Sequence, residues 1–192
     1  MNYRRLNREL TTELRNRLRR ASLPQVRNQA LVTQALAFCP NCHLPILALL
    51  LPVPTKRPNL VQRIRRWLAN PAVIQGRCYM PLIRPVLAQW SQRELGLVMD
   101  RTDIKDRWSI LTLAIAFRHR ALPLAWHVLP FGATSAERQI ALLKQVQPYL
   151  PSVHNVRITF YGDSEFRAVD LQQYCQSQHW HWQVGLTCST MF

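Results

Sequence analysis

Acid is what this 192-residue chain has least of: ten Asp and Glu stand against twenty-five Lys and Arg, a formal net charge of +15. That imbalance, with a pI near 11, points to a polyanionic partner, most simply nucleic acid. Ribosomal and membrane-surface proteins are equally basic, so charge alone gives only a class of partner. Long apolar runs are also lacking. The longest, "LPILALLLPV" at 44–53, is about half of the ~20 residues a spanning helix requires and carries prolines, which argues against a membrane span. No apolar segment follows the basic N-terminus directly, so no signal peptide is read and a cytoplasmic, reducing location is expected. Five cysteines, an odd number, agree with free thiols there. "CPNCH", Cys39 to His43, has the spacing of a haem-attachment motif or half a zinc site, but no second ligand pair follows, and ordinary helix-end residues are expected. Repeats and low-complexity blocks are absent. With 48% hydrophobic and 18% charged residues the chain reads as globular.

The charge is unevenly spread. Residues 1–99 hold 16 Lys/Arg and 3 acids, while residues 100–192 hold 9 and 7. An electrostatic first half joined to a nearly neutral second half suggests a binding part and a different working part. The first part, 1–92, reads as helical. Leu6, Leu10, Leu14 and Leu18 recur every four residues among arginines, giving a narrow apolar stripe on a basic helix. A second helix is expected from about Pro24 to Phe38, and the proline-rich "LPVPTKRPNL" reads as a linker or tight crossing. In "NLVQRIRRWLANP" Asn59 is the expected N-cap, with Leu60, Ile64, Trp67 and Leu68 as apolar face and Arg63, Arg65 and Arg66 on the flank. A further helix is expected over about Tyr79 to Ser91.

From residue 93 to 192 the texture changes. "LGLVMD" is a short strand, "RWSILTLAIAFR" is apolar on both faces like a central strand, and "ALPLAWHVL" makes a third. The junction His119-Arg120 suggests antiparallel pairing of the second and third. Thr134 and Glu137 have capping-box spacing ahead of a helix, "VRITFYG" is a fourth strand, "DSEFRAVDLQQYCQSQ" a helix, and "WHWQVGL" a fifth strand. The order β-β-β-α-β-α-β is that of an RNase H-like fold up to its fifth strand, so the fold class expected is α+β: a helical domain followed by an incomplete RNase H-like core with a mixed five-stranded sheet.

In that order the first and fourth strands are neighbours, and an aspartate ends each: Asp100 and Asp163. Two carboxylates at neighbouring strand ends offer hard oxygen ligands for Mg²⁺ or Mn²⁺, the ions that phosphodiester chemistry uses. Each also has a purely structural alternative, Asp100 as a turn residue and Asp163 as an N-cap. Asp103 and Asp106 share the loop with Asp100 and read as exposed turn residues, since the central glycine and terminal glutamate of an EF-hand are missing. The role of Glu165 is open. Arg63, Arg65 and Arg66 read as phosphate contacts or as a solvated face, and no clear helix-turn-helix signature selects a groove-reading helix. Trp67 and Trp108 are expected in the core; Trp180 and Trp182 alternate with His181 on a strand.

The segment "LVMDRTDIKDRWSILTLAIAFRHRALPLAW" resembles the DDE transposases of bacterial insertion sequences. Asp100, Arg101 and Thr102 match the family's element at the end of the first strand, "LPLAW" its third strand, and Asp163, Ser164, Glu165 and Phe166 its second acidic element, with Ser164 in place of the usual Arg. "TKRPNLVQRIRRWLANP" is similar to the stretch ahead of the family's core, so the resemblance runs from about Lys56 onward. It implies Mg²⁺ or Mn²⁺ held by Asp100 and Asp163 for DNA cleavage and strand transfer. Double-stranded DNA at transposon ends is the implied partner, with Lys56, Arg57, Arg63, Arg65, Arg66 and Arg101 as expected DNA contacts. Self-association is left open, and no membrane is expected. The family's third carboxylate lies on a helix after the fifth strand, and no acid follows Asp170 here. A truncated transposase with little or no catalysis is therefore the expectation. A DNA-binding protein without chemistry is the alternative.

Overall fold

The computed structural model describes residues 2–39 and 41–186. The chain divides into two compact units, Met1–Ile83 and Arg84–Phe192.

The first unit is built on helices. In α1 (Tyr3–Arg17) Asn2 is the N-cap, its side chain accepting from the Arg5 amide at 3.1 Å. The leucine stripe of α1 turns inward: Leu14 and Leu18 are buried with Ala21, Val26 and Ala30, the last two on α2 (Leu23–Ala37). Beyond them α3 (Leu44–Leu47), the 3₁₀ turn Ala48–Leu50 and α4 (Arg57–Leu68) close a second cluster around Leu31, Ala35, Leu47, Leu60 and Ile64. The apolar run at 44–53 is thus a bent core segment. Trp67 packs against this cluster.

Asn59 is not the cap of α4. The helix starts three residues earlier than that cap implies, with Lys56 at the N-cap and Pro58 in the first turn, where the fixed φ of proline suits a helix and its missing N–H costs nothing. The short α5 (Gln75–Cys78) and α6 (Met80–Ala88) follow, and the division between units falls inside α6, next to Pro85.

The second unit is a mixed five-stranded sheet in the order β3-β2-β1-β4-β5, made of β1 (Glu94–Ile104), β2 (Trp108–Phe117), β3 (Arg120–Pro130), β4 (Arg157–Gly162) and β5 (His181–Val184). β1, β2 and β3 are antiparallel neighbours, while β4 runs parallel to β1 and β5 parallel to β4. The element order, the antiparallel β2–β3 pair and the β1–β4 neighbourhood are as expected, and the fold is of the expected α+β class. The β2–β3 hairpin turns on Arg118 and His119, one residue earlier than the junction read from sequence; both have positive φ, as a two-residue turn matched to strand twist demands.

Two helices complete the unit, α7 (Ala136–Val146) between β3 and β4 and α8 (Val169–Ser177) between β4 and β5. Both crossovers advance in the same direction along the sheet, so right-handed connections put both helices on one face. That face holds the core. Leu95, Leu97 and Met99 of β1, Leu111 and Leu113 of β2, and Ile158 and Phe160 of β4 are all buried, alternating with more exposed residues as the strand period requires.

Further local readings are corrected. β1 does not stop at Asp100 but runs on to Ile104, because its hairpin partner β2 continues to pair with it. Thr134 does not cap α7: Ser135, one residue later, does, its hydroxyl accepting from the Arg138 amide, while the Thr134 hydroxyl donates to Glu165 and accepts from the Gln139 side chain. The stretch 163–178 is not one helix but a 3₁₀ turn, Ser164–Phe166, followed by α8. Trp108 is 48% exposed rather than core, because it opens β2 opposite Ile104, on the strand face away from the helices. Trp180 lies just before β5 and is buried, edge-on to Tyr174. Among the described residues no helix is long and apolar enough to cross a membrane.

Gly162 ends β4 against Phe166, which is fully buried; a Cβ there would lie 2.7 Å from the Phe166 Cβ. Gly162→Ala is expected to destabilise the unit by about 1–3 kcal/mol through overpacking, read as a lowered urea midpoint. The thiols give a second check. Cys42 is exposed, whereas Cys78 and Cys175 are buried and burial pushes Cys175 up to about 12. Because the thiolate is the reactive form, brief iodoacetamide treatment at neutral pH should label Cys42 first and leave Cys175 unmodified until denaturant is added, as followed by peptide mass spectrometry. Cys188 lies outside the described residues.

Candidate functional site

The β1–β4 ladder determines where the two aspartates stand. Its last pair is Val98 with Tyr161. Asp100 and Asp163 hold the same offset, two residues further along two parallel strands that lie about 4.8 Å apart while paired. Past Val98 the strands part company. β1 continues as a hairpin arm with Asp100 beside Thr112 of β2, and the other chain turns at Gly162 into the 3₁₀ segment. Alternation sets Asp100 in phase with Gly96 and Val98, on the sheet face opposite the buried leucines.

Both aspartates are exposed. The Asp163 Oδ1 accepts the Glu165 amide at 2.8 Å, capping the 3₁₀ turn and leaving its second oxygen without a bond among the described residues. Asp100 makes no hydrogen bond or ion pair among the described residues. Capping and metal ligation are compatible at Asp163, since they use different oxygens.

Glu165 and Arg101 form a clasp beside this pair. The Arg101 Nε lies 3.1 Å from Glu165 Oε2, with both side chains about three-quarters buried or more. Another guanidinium nitrogen of Arg101 donates to the Gly132 carbonyl at 2.7 Å, and the third is 3.5 Å from Asp103. The other Glu165 oxygen accepts from both the Thr134 amide, at 3.1 Å, and the Thr134 hydroxyl, at 2.8 Å. Ser109, fully buried, donates to Asp103 at 2.6 Å. The clasp ties the loop after β3 to β1 and to the turn after β4. Gly132 allows that loop its path, for its φ of +133° suits glycine alone. Asp103 is thus a strand residue with partners, whereas Asp106 sits in the β1–β2 turn at positive φ. Sequence reading missed Ser109 and Gly132 and gave Thr134 only a capping role, because the three come together only through the sheet.

The remaining expected DNA contacts lie in the first unit. Lys56 stands at the N-cap of α4, and Arg57 donates to the Pro45 carbonyl at 3.0 Å. The Arg63 Nε donates to Asn28 at 2.7 Å. Arg65 and Arg66 are exposed in the last turn of α4 without an acidic partner among the described residues.

Two carboxylates supply oxygen donors of the hard type that Mg²⁺ and Mn²⁺ take, and Mg²⁺ ordinarily keeps several waters and binds one or two carboxylates together with phosphate oxygens. The donor set at Asp100 and Asp163 fits such an ion. Among the described residues no group of three or more His, Cys, Asp or Glu is placed to hold a metal, at this site or at Cys39, Cys42 and His43.

No protein-family model matches the chain, and no curated protein matches it. Among solved structures it is similar to the Mos1 transposase catalytic domain with raltegravir and manganese, at 12% identity and a TM-score of 0.35, over 56% of this chain and 57% of that one. It is similar at 12% identity and a TM-score of 0.34 to the catalytic domain of Mos1 mariner transposase and to the same domain with raltegravir and magnesium. The match spans less than two thirds of the length of those chains.

Breaking the clasp should register as stability. Glu165→Ala leaves the Arg101 guanidinium and Thr134 without their acceptor and is expected to cost about 1–3 kcal/mol. In a cycle with Arg101→Ala the two changes are expected to be non-additive by about 1 kcal/mol or more, measured by urea unfolding; simple additivity would show that the pair does not interact.

Proposed function

We propose that this protein handles DNA in the manner of a transposase: the helical unit grips duplex DNA, and the sheet unit presents Asp100 and Asp163 as carboxylate ligands for Mg²⁺ or Mn²⁺ at a phosphodiester. One observation carries the reading. The two aspartates share the register offset of the parallel β1–β4 ladder, at its C-terminal end, in a chain where acid is scarce. A divalent ion bound there supplies positive charge that draws in a phosphodiester and stabilises charge developing on its oxygens. The chain's own part is to hold the two carboxylates still. β1 does so through pairing with β2 on one side, and the capped 3₁₀ turn does so at Asp163. The Arg101–Glu165 clasp anchors both segments from behind.

The resemblance of "DRTD" and "DSEF" to the two acidic elements of DDE transposases supports the same assignment and makes terminal DNA repeats the class of substrate. Lys56, Arg65 and Arg66, unpaired by acid, are the proposed phosphate contacts of α4, with Arg57 and Arg63 beside them; Arg101, expected as a DNA contact, is instead committed to Glu165, Asp103 and the Gly132 carbonyl. A second reading, DNA binding without chemistry, is favoured by the absence of a third acid around Asp100 and Asp163 among the described residues.

The two readings part on metal. Titration of the purified chain with Mn²⁺, followed by electron paramagnetic resonance, is expected to show binding that weakens by about tenfold or more in Asp100→Asn and in Asp163→Asn. Unchanged Mn²⁺ affinity in both variants would sink the carboxylate site and leave the binding reading. Nicking of supercoiled DNA that needs Mg²⁺ or Mn²⁺ and is lost in Asp100→Asn would establish chemistry as well as binding.

A further inference from the structure

The first unit carries 14 Lys and Arg and only two acids, Glu9 and Glu13, both on α1. Each acid is already matched within that helix. The Arg5 Nε lies 2.8 Å from Glu9 and the Arg17 Nε 2.6 Å from Glu13, in i,i+4 pairs. Arg4 and Arg8, one turn apart on α1, have no such partner among the described residues, nor has Arg27 on α2. These three line one groove of about 340 Å³ together with Arg63 of α4.

The groove has a floor and a fixed cation. Leu31, Pro52 and Val53 provide apolar surface, and the hydrogen bond to Asn28 holds the Arg63 side chain in place. Asn7, also on the wall, has a buried amide nitrogen with no hydrogen-bond partner. Arginine stems pack along apolar surface while their heads stay available, so a cluster of this kind presents charge at little cost in order. Nothing anionic in the first unit competes for it, because its two acids are committed elsewhere on α1. Arg4 and Arg8 are separated by about 6 Å along the helix, so both heads can face the same groove.

We propose that this groove between α1, α2 and α4 is the principal duplex-DNA contact of the helical unit, taking the sugar–phosphate backbone of one strand through Arg4, Arg8 and Arg27, with Arg63 as a fixed fourth cation. The inference rests on the DNA-handling reading above but assigns the contact chiefly to Arg4, Arg8 and Arg27, which that reading does not use, and shares only Arg63 with it. It makes the contact sequence-independent, because guanidinium–phosphate pairs position a duplex without reading its bases.

The experiment uses the full chain and a fluorescently labelled DNA duplex of random sequence, with anisotropy titrations over a range of salt. Three triple variants are compared with the wild type: Arg4→Gln/Arg8→Gln/Arg27→Gln in the groove, Arg5→Gln/Arg17→Gln/Arg20→Gln as a charge-matched control, and Lys56→Gln/Arg65→Gln/Arg66→Gln on α4. All three groove arginines are exposed, so the fold is expected to survive, as circular dichroism would verify. The groove variant should lower the slope of log K against log salt by about 2.7, from three phosphate contacts at about 0.9 each; the control should lower it by less than about 1. Equal losses in groove and control, or a full loss carried by the α4 variant alone, would overturn the groove while leaving DNA binding intact. No salt-dependent binding by the wild type would instead bring down the reading on which the groove rests.

Discussion

Five parallel pairings between β1 and β4, from Glu94 with Arg157 to Val98 with Tyr161, govern the geometry of the second unit. A parallel pair between strands far apart in sequence needs a crossover, and here the crossover contains β2, β3 and α7. Because the side-chain period is two, a slip of one residue would turn Leu95, Leu97 and Met99 out of the core and Asp100 into it. Burial of those three residues therefore also specifies the face on which Asp100 stands. Packing reinforces the register from the other face, where a Cβ on Gly96 would come within 3.1 Å of the Tyr161 ring. Core energetics and the placement of the candidate ligands are thus one constraint seen from two sides of a sheet.

The clasp of Arg101, Glu165, Thr134 and Gly132 solves a different problem. Where β4 ends, the chain makes a tight 3₁₀ turn with little apolar surface except Phe166, and such a segment is held mainly by polar contacts. A buried or half-buried ion pair adds little net stability over an apolar contact, but it penalises geometries that leave either charge unpaired. Arg101 is well suited to that task because its planar fork can satisfy Glu165 and the Gly132 carbonyl together. The effect is to fix the turn carrying Asp163 relative to the strand carrying Asp100.

The number of strands and their order along the chain were legible in the sequence because each strand is a distinct apolar run bounded by polar or turn residues, and α7 and α8 show helical spacing between them, while the β1–β4 neighbourhood followed only from the fold which that order implies. What was not legible depended on contacts between distant segments. Thr134 looks like a helix cap until Glu165, on the far side of β4, takes its hydroxyl. Asp103 looks like a turn residue until Ser109, six positions on, returns to it across the hairpin. Asn59 was misplaced for a local reason: Pro58 was read as ending a linker when it begins a helix. Trp108 misled because a large aromatic usually signals core, yet a strand's first residue on an uncovered face has little to pack against. For the candidate site, the two aspartates were visible as rare acids after apolar runs and Arg63 as part of a basic helix flank, whereas its grouping with Arg4, Arg8 and Arg27 was hidden. Arg4, Arg8, Arg27 and Arg63 lie on three helices, and no spacing within one segment unites them.

The occupations of the acids single out one residue. Glu94 faces Arg157, Asp103 and Glu165 share Arg101, and Asp163 caps a turn. Asp106 occupies a positive-φ turn, while Glu137 and Asp170 sit in the first turns of α7 and α8, where the helix dipole favours negative charge. Asp100 has no such employment. It stands within a strand, a position aspartate disfavours, without an ion pair or hydrogen bond among the described residues. A chain that is otherwise locally consistent tends to break its own rules where function requires it. Asp100, an unpaired and exposed carboxylate on a central strand with Asp163 at the matching offset beyond its parallel neighbour, is such a departure among the described residues, and it is the reason the proposed cation site is placed there.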